Sequence, residues 1–489
     1  MASWSAARAD TFGNLFNSDG NQTNLNSSTA WIDETVGGSD SPPPGSNDIA
    51  QFDSFTGLSS PTTFTLGGSV SWEGVSVLNP GAAVTIDDVG NESNDVLTLG
   101  TAGIAVVSQN LTINDYISLN TSETFTVNSG QNLTVNGQIS GSGNTLTFAG
   151  GGVTVMTNSN SYTSATALTG GATVSLNFAA AGAPASNIIN SGSTLQLSGG
   201  NLTIDNGSSA NSPSQTFAGT QLGTSGYNVI SVSNSGAGSP TLALGTITVP
   251  NNKGGVVEFE GLNTINASGA VNAVGTITAT ASTEGGIIGI GQNGPSGDYA
   301  TVGLYDWAAI LNSSGGTATA ASTNGMIVGG SFISNFYTID TSGKATPNAN
   351  VDVQGSLTQS STTSTYTMRF NTATADSVTV SSGAALGLGG ILLTPNVGAN
   401  NIVFNGAGFI DANRGSSGSG SSRETTIWQN DTLGELQISV QIQNGREGGS
   451  ALALAGPGTT VLSSTTNNYT GSTLIYNGVL LINSNGVLG

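Results

Sequence analysis

The chain of 489 residues contains no cysteine and no histidine. These absences exclude serine–histidine–aspartate triads, cysteine–histidine pairs and zinc sites built on either residue, and with them the commonest hydrolase mechanisms. We therefore predict that the chain is not an enzyme. The lack of cysteine does not by itself assign a redox compartment, because secreted solenoid proteins are stabilised by stacked coils and need no disulfide bonds.

Positive charge is scarce as well: seven residues are lysine or arginine, 28 are aspartate or glutamate, and the net charge is -21. Nucleic acids and anionic membranes both attract clustered basic residues, and the basic residues here are scattered. They are Arg8, Lys253, Lys344, Arg369, Arg414, Arg423 and Arg446. No apolar run, GVLLI from Gly478 included, approaches the roughly 20 residues that cross a bilayer. We predict no nucleic-acid partner and no membrane insertion by this segment.

Glycine, serine, threonine and asparagine separate short apolar segments that alternate with a period of two. The segments are LTL (97 to 99), IAVV (104 to 107), LTI (111 to 113), ISL (117 to 119), FTV (125 to 127) and LTV (133 to 135). A strand at every such segment predicts a β-solenoid of three short strands per coil, with roughly 22 residues in a coil. On the order of 20 coils, stacked at about 4.8 Å, would make a rod about 100 Å long.

The chain is predicted to have two parts. Residues 1–69 carry many aromatic residues, the run Pro42–Pro44 and less regular strands, as expected of an N-terminal cap that covers the open end of a solenoid. Residues 70–489 are predicted to form the solenoid. An irregular insertion is expected near 285–340, where aromatic residues are dense, and a flexible loop near 415–422, where the sequence is GSSGSGSS.

One stretch of the chain reads as a complete repeat unit, from Leu452 to Gly489. It combines a G-x-G-T turn, an N-x-Y-x-G segment and a G-x-L segment, at Gly456, Gly458, Thr459, Asn467, Tyr469, Gly471, Gly478, Leu480 and Gly489. A weaker copy runs from Gly141 to Leu176, with Asn160, Tyr162 and Gly171 at the same spacing. The pattern resembles the autotransporter-associated β-strand repeat. The start of the chain is similar to the leading segment of extracellular proteins that carry this repeat, at Trp31, Pro44, Asp48, Ala50 and Phe52.

The resemblance implies a right-handed parallel β-helix, exported to the outer surface of a bacterium or secreted. It implies a rod-like passenger used for adhesion or matrix building, with surface glycans or host and matrix components as partners. Residues 1–4 are not a signal peptide, so we expect either that a signal has been removed or that the chain is an excised part of a longer one. A first alternative is a subunit of an extracellular filament, self-associating end to end through unpaired coil edges.

A second alternative is a glycan-binding or glycan-cleaving β-helix, a polysaccharide lyase or a glycosidase. A glycosidase needs two carboxylates at a defined separation. Glu258 and Glu260 lie two positions apart on one predicted strand and are the best such pair. The favoured interpretation is that Val257 and Phe259 point into the core, whereas both glutamates face solvent.

Two further groups of residues have a functional and a structural interpretation. Asp87, Asp88, Glu92 and Asp95 lie in one Gly/Asn-containing loop, where their oxygens are a weak calcium site candidate. Their spacing fits no known calcium loop, so a solvated acidic loop is favoured and no other cofactor is predicted. Tyr305, Asp306 and Trp307 would suit a sugar-binding platform, but a tryptophan covering an irregular part of the core is favoured.

Overall fold

The structure is a computed structural model. It describes residues 10–14, 22–34, 38–87, 95–249, 255–266, 268–280, 283–284, 287–288, 299–311, 324–340, 343–411, 423–445, 449–483 and 485–489. These residues are almost entirely β-strand and turn, as predicted, and their helical segments are two short 3-10 turns, Gly330–Phe332 and Pro395–Val397. Within the same ranges, no helix has the length and apolarity required to cross a membrane.

The chain forms two compact units. Unit 1 comprises Met1–Ala218 and Ser233–Pro240, and unit 2 comprises Gly219–Val232 and Thr241–Gly489. The predicted boundary between residues 69 and 70 stays a prediction. The predicted loop near 415–422 lies outside the described residues.

The strands of unit 1 are short. They are β1 (Thr11–Asn14), β2 (Trp31–Asp33), β3 (Gly38–Ser41), β4 (Ile49–Phe52), β5 (Thr62–Phe64), β6 (Val70–Val77), β7 (Val84–Ile86), β8 (Val96–Val106), β9 (Leu111–Ile113), β10 (Tyr116–Leu119), β11 (Glu123–Val127), β12 (Asn132–Val135), β13 (Ile139–Ser140), β14 (Leu146–Ala149), β15 (Val153–Met156), β16 (Thr166–Thr169), β17 (Thr173–Asn177), β18 (Thr194–Ser198), β19 (Asn201–Asp205) and β20 (Ser214–Thr216).

Two long parallel ladders organise unit 1. One runs through β4, β6, β8, β11, β14, β16 and β18, and the other through β5, β7, β9, β12, β15, β17 and β19. Asparagine side chains bond residues 21 or 22 positions away, one step along the stack. This offset agrees with the coil length predicted from the spacing of the apolar segments.

The predicted strand centres are confirmed with one exception. LTI, ISL, FTV and LTV coincide with β9 to β12, where apolar residues are buried and the threonine or serine between them is less so. LTL and IAVV, predicted as two strands, belong to the single strand β8. Gly103, with a φ of 60°, lies within β8, and the pairing of β8 with β6 continues there after one irregularity of register.

The N-terminal part of unit 1 departs from the parallel pattern. β1 pairs with β4 in parallel, but its other side pairs with β2 in antiparallel orientation, and β2 in turn pairs with β3. Trp31 is fully buried and contacts the rings of Phe52 and Trp72 at centroid distances of 6.1 and 5.9 Å. These aromatic residues fill the core at this end of the ladder.

The strands of unit 2 follow in chain order. They are β21 (Gly219–Leu222), β22 (Tyr227–Ser233), β23 (Thr241–Thr248), β24 (Val256–Glu260), β25 (Thr264–Asn266), β26 (Gly269–Val271), β27 (Thr276–Thr280), β28 (Thr283–Glu284), β29 (Ile287–Ile288), β30 (Ala300–Val302), β31 (Asp306–Leu311), β32 (Asn324–Gly329), β33 (Tyr337–Asp340), β34 (Asn350–Val353), β35 (Leu357–Gln359), β36 (Thr363–Phe370), β37 (Ser377–Val380), β38 (Ala385–Leu393), β39 (Ile402–Asn405), β40 (Phe409–Asp411), β41 (Arg423–Gln429), β42 (Glu435–Ile438), β43 (Gln441–Ile442), β44 (Ser450–Ala455), β45 (Thr459–Leu462), β46 (Thr473–Ile475) and β47 (Val479–Ile482).

Unit 2 changes its pairing pattern midway. β22, β24 and β30 are parallel, but β30 with β31, β31 with β32 and β27 with β32 are antiparallel. From β33 onward two new parallel ladders begin. One is β33, β34, β36, β38, β41, β44 and β46, and the other is β35, β37, β39, β42, β45 and β47.

In the first of these late ladders, β34, β38 and β44 are buried on both faces. One face joins the core that it shares with the second ladder. Its other face packs on the earlier part of unit 2, where Trp428 contacts the ring of Tyr227 at 5.8 Å and Asn430 donates to the carbonyl of Leu304. All nine positions of β38 are consequently buried. A single continuous rod is therefore not formed within unit 2, because the late ladders pack beside the earlier strands of this unit.

Candidate functional site

The two copies of the repeat motif make the same tyrosine contact. The hydroxyl of Tyr469 lies 2.7 Å from Oγ1 of Thr473, and that of Tyr162 lies 2.9 Å from Oγ1 of Thr166. Both tyrosine rings are buried, at 1% and 0% exposure. Each threonine begins a strand of a parallel ladder, β46 or β16. The motif tyrosine therefore fills the core at a corner and satisfies its hydroxyl on the following strand.

The motif asparagines also act alike, since each bonds backbone groups in two other parts of its stack. Asn160 accepts from the N–H of Ile139 and donates to the carbonyl of Ile188. Asn467 accepts from the N–H of Ile442, 2.7 Å away, and donates to the carbonyl of Val487, 2.6 Å away. Ile139 and Ile442 lie on the two-residue strands β13 and β43, which pair with β10 and β40, and the asparagine oxygen gives each N–H an acceptor.

Glycine is required where the motif turns stack on one another. Gly478 has a φ of 83°, and a Cβ there would lie 2.5 Å from the carbonyl oxygen of Gly456. Gly456 has a φ of 81°. Gly458 and Gly471 also face backbone at close range, at Asp431 and Ser450 respectively. Leu480, the last motif position, packs against the core from a partly buried site.

A buried charge cluster lies in unit 2, and the name arginine cluster is used here for Asp306, Ser331, Tyr337, Asp352 and Arg369. Nη1 of Arg369 is 2.6 Å from Oδ1 of Asp306, and its Nε is 2.8 Å from Oδ1 of Asp352. The guanidinium lies 3.8 Å from the ring centroid of Tyr337. Ser331 donates its hydroxyl to Oδ1 of Asp306 at 2.6 Å.

The arginine cluster joins two parts of unit 2 that are far apart in sequence. Asp352 and Arg369 are neighbours in register on β34 and β36 of the late ladder. Asp306 begins β31, in the earlier part of the unit, and its second carboxylate oxygen accepts from Thr264 at 2.7 Å. Burial raises the pKa of Tyr337 well above its usual value, so its phenol stays protonated and donates to Asp306. This arrangement suits a structural role in holding the two parts of unit 2 together, because every charge in it is paired and buried.

The packing around the arginine cluster also explains the three residues that were considered as a sugar-binding platform. Trp307 and Asp306 are both fully buried, so the interpretation of Trp307 as a core residue is confirmed. Tyr305 offers its backbone carbonyl to Arg369 at 3.4 Å. An exposed sugar-binding platform is not formed by Trp307.

The prediction for the glutamate pair is wrong for Glu258. Val257 and Phe259 are buried as expected, but Glu258 is only 5% exposed, whereas Glu260 is exposed. Glu258 accepts a hydrogen bond from the hydroxyl of Tyr227 on the neighbouring strand β22. Burial raises the pKa of Glu258, and the charge of Glu260 adds to the effect. The error arises because both faces of β24 are covered, which alternation within one strand cannot reveal.

The acidic loop is only partly described. Asp88 and Glu92 lie outside the described residues, whereas Asp87 and Asp95 flank them. Asp87 donates its backbone N–H to the carbonyl of Phe64. Among the residues that the structure describes, no group of three or more acidic side chains is placed to hold a metal ion. The calcium site stays a prediction.

A shallow groove of about 300 Å³ lies on the outer side of the second late ladder. Its floor is the row Val403, Gln437, Val461 and Leu481, which are consecutive partners on β39, β42, β45 and β47. Nε2 of Gln437 donates to Glu435 at 3.0 Å along its edge. The groove is at the small end of the volumes that ligand sites occupy, and it offers amide and carboxylate groups beside apolar ones.

Sequence reasoning missed the arginine cluster, although two signals were present. Asp352 and Arg369 each stand within a strand segment of otherwise uncharged residues, NVDV and TYTMRF. The runs ALGLGGILL and SALALA lack the alternation of apolar and polar residues that is typical of a strand with one solvent-exposed face. Together these patterns indicate a ladder covered on both sides, where a charged residue needs a buried partner.

Comparison with known proteins leaves the resemblance without independent support. No protein-family model matches the chain. No curated protein and no solved structure matches it either.

Proposed function

We propose that the chain is an extracellular or cell-surface structural protein, the passenger-type portion of an autotransporter-like protein that serves adhesion or matrix building. Its strands are proposed to form right-handed coils of three short strands each. The protein would be secreted or held on the outer surface of a bacterium, with surface glycans or matrix components as partners. No catalytic step is assigned to it.

The observation that supports the proposal most is the recurrence of one set of contacts in two distant repeat copies. Tyr162 and Tyr469 each bond the threonine four residues later, and Asn160 and Asn467 each bond two backbone groups elsewhere in the stack. The residues that carry the family resemblance are therefore residues whose hydrogen bonds stabilise the stacked strands. A repeat whose defining residues serve stacking is suited to building length and rigidity.

The filament alternative is less well supported than a passenger. End-to-end stacking needs free strand edges at both ends. β1 is already paired on both sides, by β4 and by the antiparallel β2. The glycan-cleaving alternative would rest on Glu258 and Glu260, but the former is buried and bonded to Tyr227.

An attachment assay tests the proposed function. The chain would be displayed on the surface of a non-adherent laboratory bacterium, and retention on immobilised glycans, matrix proteins and plastic would be measured under flow. We expect retention above that of cells displaying a non-adhesive protein of similar charge. A matched variant, Gln437→Ala with Glu435→Ala, tests whether the outer groove contributes. Equal retention of all strains on every surface would contradict adhesion.

A further inference from the structure

Glu34, the residue that follows β2, reaches across the neighbouring strand β1. Its backbone N–H donates to the carbonyl of Thr11 at 3.0 Å, which continues the antiparallel pairing of β1 with β2. The side chain lies over Gly13 of β1, where a Cβ would collide with Oε1 of Glu34. On the far side of β1, its Oε2 accepts from Nε2 of Gln51 on β4 at 3.1 Å. One side chain therefore links three strands.

The same amide nitrogen brings Glu34 beside a second carboxyl group, that of Asp53. Nε2 of Gln51 also donates to Oδ2 of Asp53, at 3.2 Å. Asp53 is 5% exposed, and its other oxygen, Oδ1, accepts from the backbone N–H of Phe55 at 2.8 Å. Both oxygens of Asp53 are therefore occupied as acceptors. The name carboxyl pair is used here for Glu34 and Asp53.

No basic side chain neutralises the carboxyl pair within the described part of unit 1, because that part contains neither lysine nor arginine. Oε1 of Glu34 is buried without a hydrogen-bond donor, a position in which a protonated oxygen is more stable than a charged one. Since both oxygens of Asp53 accept, the proton that relieves the repulsion belongs on Glu34. The other acidic residues on or next to β1, β2, β3, β4 and β6 are Asp10, Asp33, Asp40, Asp48 and Glu73, and the charge that acts on Glu34 is that of Asp53.

The electrostatics of the carboxyl pair agree with this geometry. Burial, the hydrogen bond to Asp53 and the charge of Asp53 together raise the pKa of Glu34 to about 7, and the hydrogen bond from Gln51 opposes the rise. When β2 leaves β1, the pKa of Glu34 returns to its ordinary value of 4.5. The paired arrangement therefore holds the proton more tightly. Its stabilisation is complete below pH 4.5 and is lost as the pH rises through 7.

We propose that the carboxyl pair is a pH-sensitive latch: Glu34 holds β2 across β1 onto β4 while it shares a proton with Asp53, and its hold on β2 is weakened when that proton is lost. Opening of β2 would uncover Trp31, the fully buried ring that packs on Phe52 and Trp72. The latch thus controls how firmly the aromatic core at this end of the ladder is covered. It rests on the arrangement of β1, β2 and β4 and does not depend on the proposed function.

Hydrogen exchange of the intact chain, read by mass spectrometry in peptides that cover β2, tests the latch. The wild type and Glu34→Gln are compared at the same pH, so that the intrinsic dependence of exchange on pH cancels. Glutamine keeps the shape of a protonated glutamate and cannot ionise. We expect the ratio of wild-type to Glu34→Gln exchange rates in β2 to rise at least tenfold between pH 5 and pH 8. A ratio that stays constant overturns the proposal.

A glycine variant tests the reach of Glu34 across β1, and it decides the question if Glu34→Gln does not fold. Gly13→Ala places a Cβ against Oε1 of Glu34 without requiring a left-handed backbone, so it should displace the carboxyl group and remove the pH dependence of exchange in β2. Gly151→Ala, whose Cβ would be 3.3 Å from the nearest atom, should keep the wild-type behaviour. Unchanged pH dependence in Gly13→Ala overturns the proposal. Slow exchange restored by calcium chloride at pH 8 also overturns it, in favour of a cation between the two carboxylates.

Discussion

Arg369 and Asp306 form an ion pair across 63 positions of sequence, with Nη1 and Oδ1 2.6 Å apart. Their side chains are only 5% and 0% exposed. Taking both charges out of water is costly, and the cost is offset because Arg369 also donates to Asp352, whereas Ser331 and Thr264 donate to Asp306. The pair fixes β36 of the late ladder to β31 of the same unit.

Replacing Arg369 by methionine tests this fastening. Arg369→Met should lower the free energy of unfolding by about 3 kcal/mol, because two aspartates would remain buried without their cation. Urea unfolding, followed by tryptophan fluorescence, measures the loss. Lys344→Met removes an exposed positive charge and is the matched control. A double-mutant cycle with Asp306→Asn should show coupling between the sites, and additive effects would mean that the pair contributes nothing of its own.

The tyrosine contact predicts equal effects in the two repeat copies. Tyr162→Phe and Tyr469→Phe should each lower the stability by about 1 kcal/mol, because each removes one buried hydrogen bond and leaves packing intact. Thermal unfolding of the purified variants measures the change. Tyr116→Phe, at a ring that is 42% exposed, should have little effect. Unequal losses at the two motif positions would show that the copies are not equivalent.

The asparagine contact predicts a larger and local effect. Asn467→Ala should lower the stability by about 2 kcal/mol, because the N–H of Ile442 and the carbonyl of Val487 both lose their partner. Hydrogen exchange read by mass spectrometry should quicken around Ile442. Asn468→Ala, at the exposed neighbouring position, is the control. Unchanged exchange at Ile442 in the Asn467 variant would refute the role of this side chain.

Glycine stacking predicts a difference between two otherwise similar substitutions. Gly343 has a φ of 100° and open space around its Cβ position, whereas Gly478 has a φ of 83° and lies against Gly456. Gly343→Ala should cost about 1 kcal/mol from backbone strain alone. Gly478→Ala should cost more, because its Cβ also meets a carbonyl oxygen. Equal losses in urea unfolding would mean that the turns do not stack as closely as the structure places them.

Glu123 predicts a pH dependence of stability. It is 2% exposed, and burial raises its pKa to about 7, with the backbone of Thr121 opposing this rise and the charge of Glu73 adding to it. Since the folded pKa lies above the unfolded value of about 4.5, the folded state holds the proton more tightly. The stabilisation is complete below pH 4.5 and is lost as the pH rises through 7.

Glu123→Gln should therefore raise the stability at pH 8 by up to about 3 kcal/mol and flatten its dependence between pH 5 and 8. Urea unfolding across this range measures both effects. Lys344→Gln removes an exposed charge and is the control. A pH profile that is identical in the wild type and the Glu123 variant would contradict the assignment.

The sequence predicted local structure well because period-two burial and turn chemistry are local properties. Leu111, Ile113, Leu133 and Val135 are all buried on the predicted strands. The coil length also followed from the spacing of the apolar segments. The sequence could not predict that Arg369 pairs with Asp306, because this contact depends on which face of a late ladder packs on the earlier strands. Glu258 was misplaced for the same reason: alternation cannot reveal that a strand is covered on both faces.

Immunogold electron microscopy of intact producing cells tests the central proposal most directly. Antibodies raised against the folded chain would be applied to unfixed cells and, in parallel, to thin sections. A surface structural solenoid predicts dense label on the outside of intact cells or in the surrounding matrix, lost when the gene is deleted. Label confined to the interior of sectioned cells, with intact cells unlabelled, would contradict it.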